Sequence, residues 1–173
     1  KIYALEAGLG KPELVILESE NESVQHLSAL RLLFPEKVVK IVDQAKDGSL
    51  QLIAVSSDKI PPEYYLYNVD TKSLKFLLSQ RPWVKESESV ATKVLEFQSR
   101  DNLTITALLT MPSYKSGTKA PLIVNPHGGP HGPFDNWEYD PQAQFLASLG
   151  FAVLKVNFRG SGGFGAEFEA AGF

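Results

Sequence analysis

Cysteine is absent from this 173-residue chain, which also has one methionine and two tryptophans. The absence of cysteine excludes disulfides and cysteine-ligated zinc, and it fits a reducing compartment such as the cytoplasm without assigning one. No apolar run approaches the roughly 20 residues of a membrane-spanning helix. The net charge is −3 and the 17 basic residues are scattered, so we expect neither nucleic acid nor a membrane as partner.

The sequence also lacks Gly-x-Ser-x-Gly, the turn that presents the nucleophile in many hydrolases. It has instead two apolar runs that each end in a Gly-rich turn. Pro121–Asn125 leads into the His-Gly-Gly-Pro turn His127–Pro130, and Phe151–Asn157 leads into Phe158–Gly165. Between them Asp140 is a plausible helix N-cap. This order predicts an α/β sheet with two strands buried on both faces and ligands bound at the strands' carboxyl ends.

The N-terminal half has a different pattern, in which short strands alternate with turns. The predicted strands are Lys1–Glu6, Glu13–Ser19, Val38–Asp43, Leu50–Ser56, Glu63–Val69 and Ser73–Leu78. A helix is predicted over Ser23–Phe34, with Ser23 as its N-cap, and Asp47-Gly48 predicts a hairpin turn. Many short strands with frequent turns indicate a sandwich or a propeller, and no fixed-period repeat decides between the two.

A polar stretch near residues 83–90 is predicted to separate these strands from the α/β part. The strands Thr92–Gln98 and Leu103–Thr110 then form a predicted hairpin. The helix that begins at Pro141 should end at Gly150, and its predicted core face is Ala143, Phe145, Leu146 and Leu149.

The His-Gly-Gly-Pro turn is the candidate functional site. Backbone N–H groups in a loop that follows a strand can stabilise a developing oxyanion, and Gly128 and Gly129 carry no Cβ to obstruct a ligand. The alternative is a tight turn without chemistry. His127 and His131 lie in a loop without a completing ligand cluster, so no metal is predicted, and no cofactor either.

The second Gly-rich turn allows two further interpretations. Gly160-x-Gly162-x-x-Gly165 formally matches a dinucleotide fingerprint, but it is the second such turn, and no acidic partner follows within the chain. Ser161 is preceded two residues earlier by Arg159 rather than by Gly. We therefore predict that Ser161 is a turn hydroxyl that satisfies backbone groups and is not a nucleophile.

Three stretches, Pro121–Pro133, Gln144–Leu154 and Asn157–Gly165, resemble the prolyl oligopeptidase family of serine peptidases, in its acylaminoacyl-peptidase and dipeptidyl-aminopeptidase branch. Tyr64–Tyr67 followed by Arg81–Trp83 is similar to the last propeller blade and linker of that branch. The resemblance implies an α/β fold, the N-terminal part of an α/β-hydrolase domain preceded by β-propeller-like strands. The implied domains are a propeller remnant at 1–82, a linker at 83–90 and a peptidase domain beginning at 91–173.

The resemblance also implies roles for the candidate site. Gly129 would donate its backbone N–H to the tetrahedral intermediate, with Gly128 and His127 in the same oxyanion loop and His127 at its edge. The catalytic Ser, Asp and His of the family come later than Phe158–Gly165 and are absent from this chain. We therefore expect a fragment of a serine-type peptidase that cleaves short peptides by acyl transfer and is inactive alone. An esterase on the same scaffold and a non-catalytic binding module are the alternatives.

Overall fold

The computed structural model of the chain describes residues 2–8, 10–113, 119–129 and 131–172. The chain divides into two compact units, Lys1–Ser89 and Val90–Phe173. The N-terminal unit contains strands β1 (Ala4–Ala7) and β2 (Glu13–Ile16), helix α1 (Glu22–Leu33), and strands β3 (Val38–Gln44), β4 (Leu50–Ser56), β5 (Glu63–Asn68) and β6 (Ser73–Ser79).

The main sheet of the N-terminal unit has the order β3-β4-β5-β6, and each neighbouring pair is antiparallel. Strands β1 and β2 form a separate antiparallel hairpin. A four-stranded antiparallel sheet has the size of one propeller blade. The described residues of this unit do not close into a ring of such sheets, so only strand content and antiparallel order agree with the predicted propeller.

The core of the N-terminal unit lies between α1 and the sheet, where Leu30, Val39, Ile53, Val55 and Tyr67 are buried. The N-cap of helix α1 lies two residues earlier than predicted. Asn21, rather than Ser23, is the N-cap, and its side chain accepts a hydrogen bond from the N–H of Val24.

The C-terminal unit contains β7 (Thr92–Gln98), β8 (Thr104–Thr110), β9 (Leu122–Val124), helix α2 (Pro141–Ser148), β10 (Ala152–Asn157) and helix α3 (Ala166–Ala170). Its sheet has the order β7-β8-β10-β9; β9 and β10 are parallel and the other pairs are antiparallel. The predicted α/β arrangement, two parallel strands with a helix between them along the chain, is present as β9, α2 and β10. Gly150 has a φ of 96° directly after α2, as expected of a glycine that ends a helix.

Two predictions about burial in this unit are wrong. Strand β9 is at a sheet edge, with β10 as its partner among the described residues, and its face is not covered as predicted, since Leu122 and Val124 are more than half exposed. In α2 the buried residues are Ala143, Gln144 and Ala147, while the predicted core residues Phe145 and Leu149 are about 60% exposed.

Gln144 explains which face of α2 points inward. Its side-chain amide accepts a hydrogen bond from the N–H of Val90 (3.0 Å) and donates one to the carbonyl of Val90 (2.7 Å). The two bonds satisfy the backbone N–H and carbonyl of Val90, beside β7, and compensate for burying the amide. A polar residue therefore takes an inward position that hydrophobic periodicity gave to Phe145.

Candidate functional site

The two Gly-rich turns lie against each other at the carboxyl ends of β9 and β10. We call them the oxyanion loop (residues 125–132), after the role that the family resemblance implies, and the arginine loop (residues 158–165). The N–H of Gly132 donates to the carbonyl of Gly160 (3.0 Å), and the N–H of Gly162 donates to the carbonyl of Gly132 (3.1 Å). A Cβ at Gly162 would lie 2.3 Å from that Gly132 oxygen, so the close approach of the two loops requires glycine there.

His127 connects the two loops through its side chain. Its Nδ1 is 2.7 Å from the carbonyl oxygen of Gly128, and its Nε2 is 2.8 Å from Oγ of Ser161. The ring stacks on Phe158 at 4.5 Å between centroids, with an interplanar angle of 20°. A carbonyl only accepts, so Nδ1 must carry a proton, and in the neutral ring Nε2 then accepts from the Ser161 hydroxyl.

The partner of Ser161 differs from the predicted one. The hydroxyl is bonded to His127 and not to the backbone, and Ser161 is fully buried. Sequence separation hid this contact, since the two residues are 34 positions apart.

Serine and histidine are the residue types of a nucleophile and its base, but this pair does not have the surroundings of that chemistry. The buried hydroxyl offers no approach to a substrate carbonyl carbon. The other ring nitrogen of His127 faces a backbone carbonyl, whereas the base of a triad is oriented by a carboxylate. The prediction that Ser161 is not a nucleophile agrees with this geometry.

Gly128 and Gly129 are both exposed at the tip of the oxyanion loop. In the described part of the chain, the backbone N–H of neither glycine has a protein acceptor. A Cβ at Gly128 would meet nothing within 4 Å, and neither residue has a positive φ. Glycine at these two positions is therefore not demanded by backbone strain, and both N–H groups are open to an acceptor from outside the chain.

An ion network that sequence reasoning missed anchors the segment between the oxyanion loop and α2. Nζ of Lys155, on β10, lies 2.7 Å from Asp135 and 2.5 Å from Asp140. Asp140 is also the N-cap of α2, as predicted, and accepts from the N–H groups of Gln142 and Ala143. Asp135 is further held through its backbone, which exchanges two hydrogen bonds with the side chain of Asn157.

Asp140 remains ionised because its partners outweigh burial. Burial opposes ionisation of Asp140, but hydrogen bonds from Lys155 and from two backbone N–H groups hold its pKa below the usual 3.8. Burial likewise disfavours the charged Lys155, but the bonds to Asp135 and Asp140 raise its pKa above 10.5. Asp140 and Lys155 are therefore both charged at neutral pH, and their ion pair fixes the segment that connects β9 to α2.

Arg159 ties the arginine loop to the turn between β7 and β8. Its Nη2 lies 2.8 Å from both carboxylate oxygens of Asp101. Hydrogen bonds from Ser99 and from Arg159 lower the pKa of Asp101 to about 2. The adjacent Asn102 has a φ of 63°, a left-handed conformation that asparagine tolerates. An architectural role for the arginine loop is consistent with these contacts.

The residues predicted from the sequence for the site, His127, Gly128 and Gly129, thus share one loop, and the structure adds Ser161 and Phe158 from the other. Within the described ranges, no group of three or more His, Cys, Asp or Glu side chains is arranged to hold a metal ion. Across the same residues, no helix combines the length and apolar character needed to cross a membrane.

Comparison with known proteins identifies the class. Residues 137–172, which include α2, β10 and the arginine loop, match the model of the prolyl oligopeptidase family. The chain is 36% identical over 141 residues to dipeptidyl aminopeptidase BIII of Pseudoxanthomonas mexicana. The aligned region covers 78% of this chain and 20% of that protein. The relatives are therefore peptidases.

Solved structures agree with this class. Acylaminoacyl peptidase of Pyrococcus horikoshii superposes with a TM-score of 0.57 at 27% identity, over 75% of this chain and 20% of that one. A puromycin-hydrolysing peptidase of Mycobacterium tuberculosis superposes with a TM-score of 0.64 at 18% identity, over 96% of this chain and 26% of that one. At this identity the likeness supports the fold alone. The chain belongs to the prolyl oligopeptidase family, as the resemblance implied. It spans about a fifth to a quarter of the length of the curated relatives it matches.

Proposed function

We propose that this chain contributes the oxyanion loop of a serine-type peptidase that hydrolyses short peptides by acyl transfer. One observation carries the proposal. At the carboxyl end of β9, Gly128 and Gly129 are exposed, and neither backbone N–H has an acceptor within the described part of the chain. N–H groups placed in this way can bind the negative oxygen that develops when a nucleophile attacks a peptide carbonyl.

In this proposal the Gly129 N–H supplies one half of the oxyanion hole. The nucleophile, its base and the orienting acid come from chain that follows the arginine loop, since the 173 residues contain no Gly-x-Ser-x-Gly and Ser161 is buried. Residues 1–82 are then the end of a β-propeller, residues 83–90 the linker, and residues 91–173 the beginning of the α/β-hydrolase domain. The antiparallel four-stranded sheet β3-β4-β5-β6 supports the propeller assignment, and the mixed sheet β7-β8-β10-β9 supports the hydrolase assignment.

Labelling with a fluorophosphonate, which reacts with activated serines, tests the proposed division of labour. The 173-residue chain should remain unlabelled and should cleave neither acylaminoacyl nor dipeptidyl p-nitroanilides. A complete enzyme carrying this segment should be labelled and should cleave at least one of the two substrate classes. Labelling of the 173-residue chain at Ser161 would overturn the proposal.

The role of Gly129 is tested by replacing the Gly128–Gly129 amide with an ester, which removes the N–H of Gly129 and also makes the carbonyl of Gly128 a weaker acceptor. Because an oxyanion donor acts mainly in the transition state, kcat should fall by roughly 10²–10³ with little change in KM. The matched control is the same replacement at Glu138, an exposed residue before α2. A normal kcat for the Gly129 ester would place the oxyanion donor elsewhere.

A further inference from the structure

The contacts of His127 suggest how the oxyanion loop is oriented. The carbonyl of Gly128 and the N–H of Gly129 belong to one peptide group. In a planar trans peptide these two groups point in opposite directions, so whatever holds the carbonyl also sets the direction of the N–H. The carbonyl oxygen of Gly128 is held by Nδ1 of His127 at 2.7 Å.

The ring of His127 is itself fixed on two further sides. Its face stacks on Phe158, and its Nε2 contacts the hydroxyl of Ser161 at 2.8 Å. Ser161 has no freedom to follow the ring. It is fully buried, its N–H donates to the carbonyl of Phe158 (3.0 Å), and its backbone pairs with Gly132 as a β-bridge.

The protonation pattern gives this contact a direction. A neutral imidazole carries one proton, and free histidine can place it on either nitrogen. The carbonyl of Gly128 can only accept, so the proton lies on Nδ1, and the hydroxyl of Ser161 then donates to Nε2. If the proton moved to Nε2, the Nδ1 lone pair would face that carbonyl oxygen and repel it.

We propose that Ser161 is a positioning residue for the oxyanion donor. Its hydroxyl bonds Nε2 of His127 and fixes the ring, and Nδ1–H, the tautomer that the Gly128 carbonyl requires, holds the peptide group that presents the N–H of Gly129. The inference rests on the proposed function, because only a catalytic role of Gly129 gives the orientation a consequence. It assigns a role to a serine that is neither the nucleophile nor in contact with substrate.

We call the chain of contacts from Ser161 through His127 to the Gly128–Gly129 peptide group the relay. Kinetics of the complete enzyme test it. Ser161→Ala should lower kcat about tenfold, the effect of one buried hydrogen bond, and should leave KM nearly unchanged. His127→Phe keeps the stacking on Phe158 but removes both nitrogens, and should lower kcat at least as much. In the His127→Phe background, Ser161→Ala should have no further effect, because its target is gone. Ser161→Cys, with a weaker donor, should fall between serine and alanine.

The control is Ser148→Ala, which removes an exposed hydroxyl that bonds the carbonyl of Phe145, away from both loops. It should leave kcat unchanged. An unchanged kcat in Ser161→Ala would overturn the proposal. So would an equal loss of kcat in the wild-type and His127→Phe backgrounds, since Ser161 would then act independently of the ring.

The tautomer provides a readout that needs neither activity nor a variant of Ser161. With ¹⁵N-labelled histidine, and with the signal of His127 assigned by its loss in His127→Phe, the wild-type protein at a pH where the ring is neutral should show the Nδ1–H form. An Nε2–H form would overturn the relay. If the wild-type enzyme cleaves no peptide, the proposed function fails, whereas a normal Ser161→Ala beside an impaired Gly129 ester refutes the relay alone.

Discussion

Replacing Lys155 with methionine should loosen the segment that leads from the oxyanion loop into α2. The ammonium group of Lys155 lies between the carboxylates of Asp135 and Asp140, at 2.7 and 2.5 Å. The side chains of Lys155, Asp135 and Asp140 are 17, 7 and 23% exposed, respectively. Methionine fills a similar volume but leaves two mostly buried negative charges without their cation.

The size of the effect follows from this burial. Removing one partner of a buried ion pair costs about 3–5 kcal/mol, because an uncompensated charge is left behind. Lys155 keeps some contact with water, so we expect the lower end, roughly 3 kcal/mol. A free-energy change of that size shifts the local opening equilibrium about a hundredfold.

Hydrogen–deuterium exchange read by mass spectrometry measures this change where it occurs. In Lys155→Met, the amides of Asp135, Gln142 and Ala143, which are bonded in the native segment, should exchange about a hundredfold faster at pH 7. The matched control is Lys93→Met on β7, which removes an exposed lysine from the same sheet. In this control the free energy of local opening at the same amides should change by less than about 0.5 kcal/mol.

The pH dependence gives a second check with a defined sign. In the wild type the pKa of folded Asp140 is below 3.8, so its contribution is present above that value and is lost as the pH falls through the folded pKa. Without Lys155, only the two backbone N–H bonds oppose burial, which is the largest effect on Asp140, so this pKa should rise above 3.8. Protonation of Asp140 then stabilises the folded variant as the pH falls. The difference between variant and wild type in the free energy of local opening should therefore shrink from pH 7 toward pH 4. A difference that is small at pH 7, or that grows toward pH 4, would refute the reasoning.

Three further outcomes are expected. Gly162→Ala should destabilise the protein by roughly 1–3 kcal/mol in thermal melts because its Cβ would meet a backbone oxygen at 2.3 Å, whereas Gly128→Ala should be neutral. The 173-residue chain alone should bind an apolar dye and self-associate through the exposed edge β9; a monomer with a cooperative melt and no dye binding would contradict this. In NMR titrations Arg159→Gln should raise the pKa of Asp101 from about 2 without restoring 3.8, because the larger effect, from Ser99, remains.

Local sequence determined the kinds of elements and most of their limits. Alternating apolar residues placed strands at Leu50–Ser56 and Thr92–Gln98, and both have those bounds in the structure. Asp140 capped the helix before Pro141, and Gly150 ended it with a positive φ. These features depend on neighbours within a few positions, so the order of residues specifies them before any tertiary contact forms.

The sequence motifs also indicated the family, because a His-Gly-Gly-Pro turn and an Arg-Gly-Ser-Gly-Gly turn each follow a predicted strand. It did not indicate how the turns meet. The close approach at Gly162 and the bond between His127 and Ser161 join residues that are about 30 positions apart.

Only the tertiary structure decided which residues face inward and which polar groups pair. Periodicity placed Phe145 in the core, yet Gln144 is buried, where its side-chain amide bonds both the backbone N–H and the carbonyl of Val90. Burial of Lys155 likewise depends on two carboxylates that arrive from a distant segment. Strand pairing and charge compensation depend on where the chain returns in space, and for that reason hydrophobic pattern alone could not assign them.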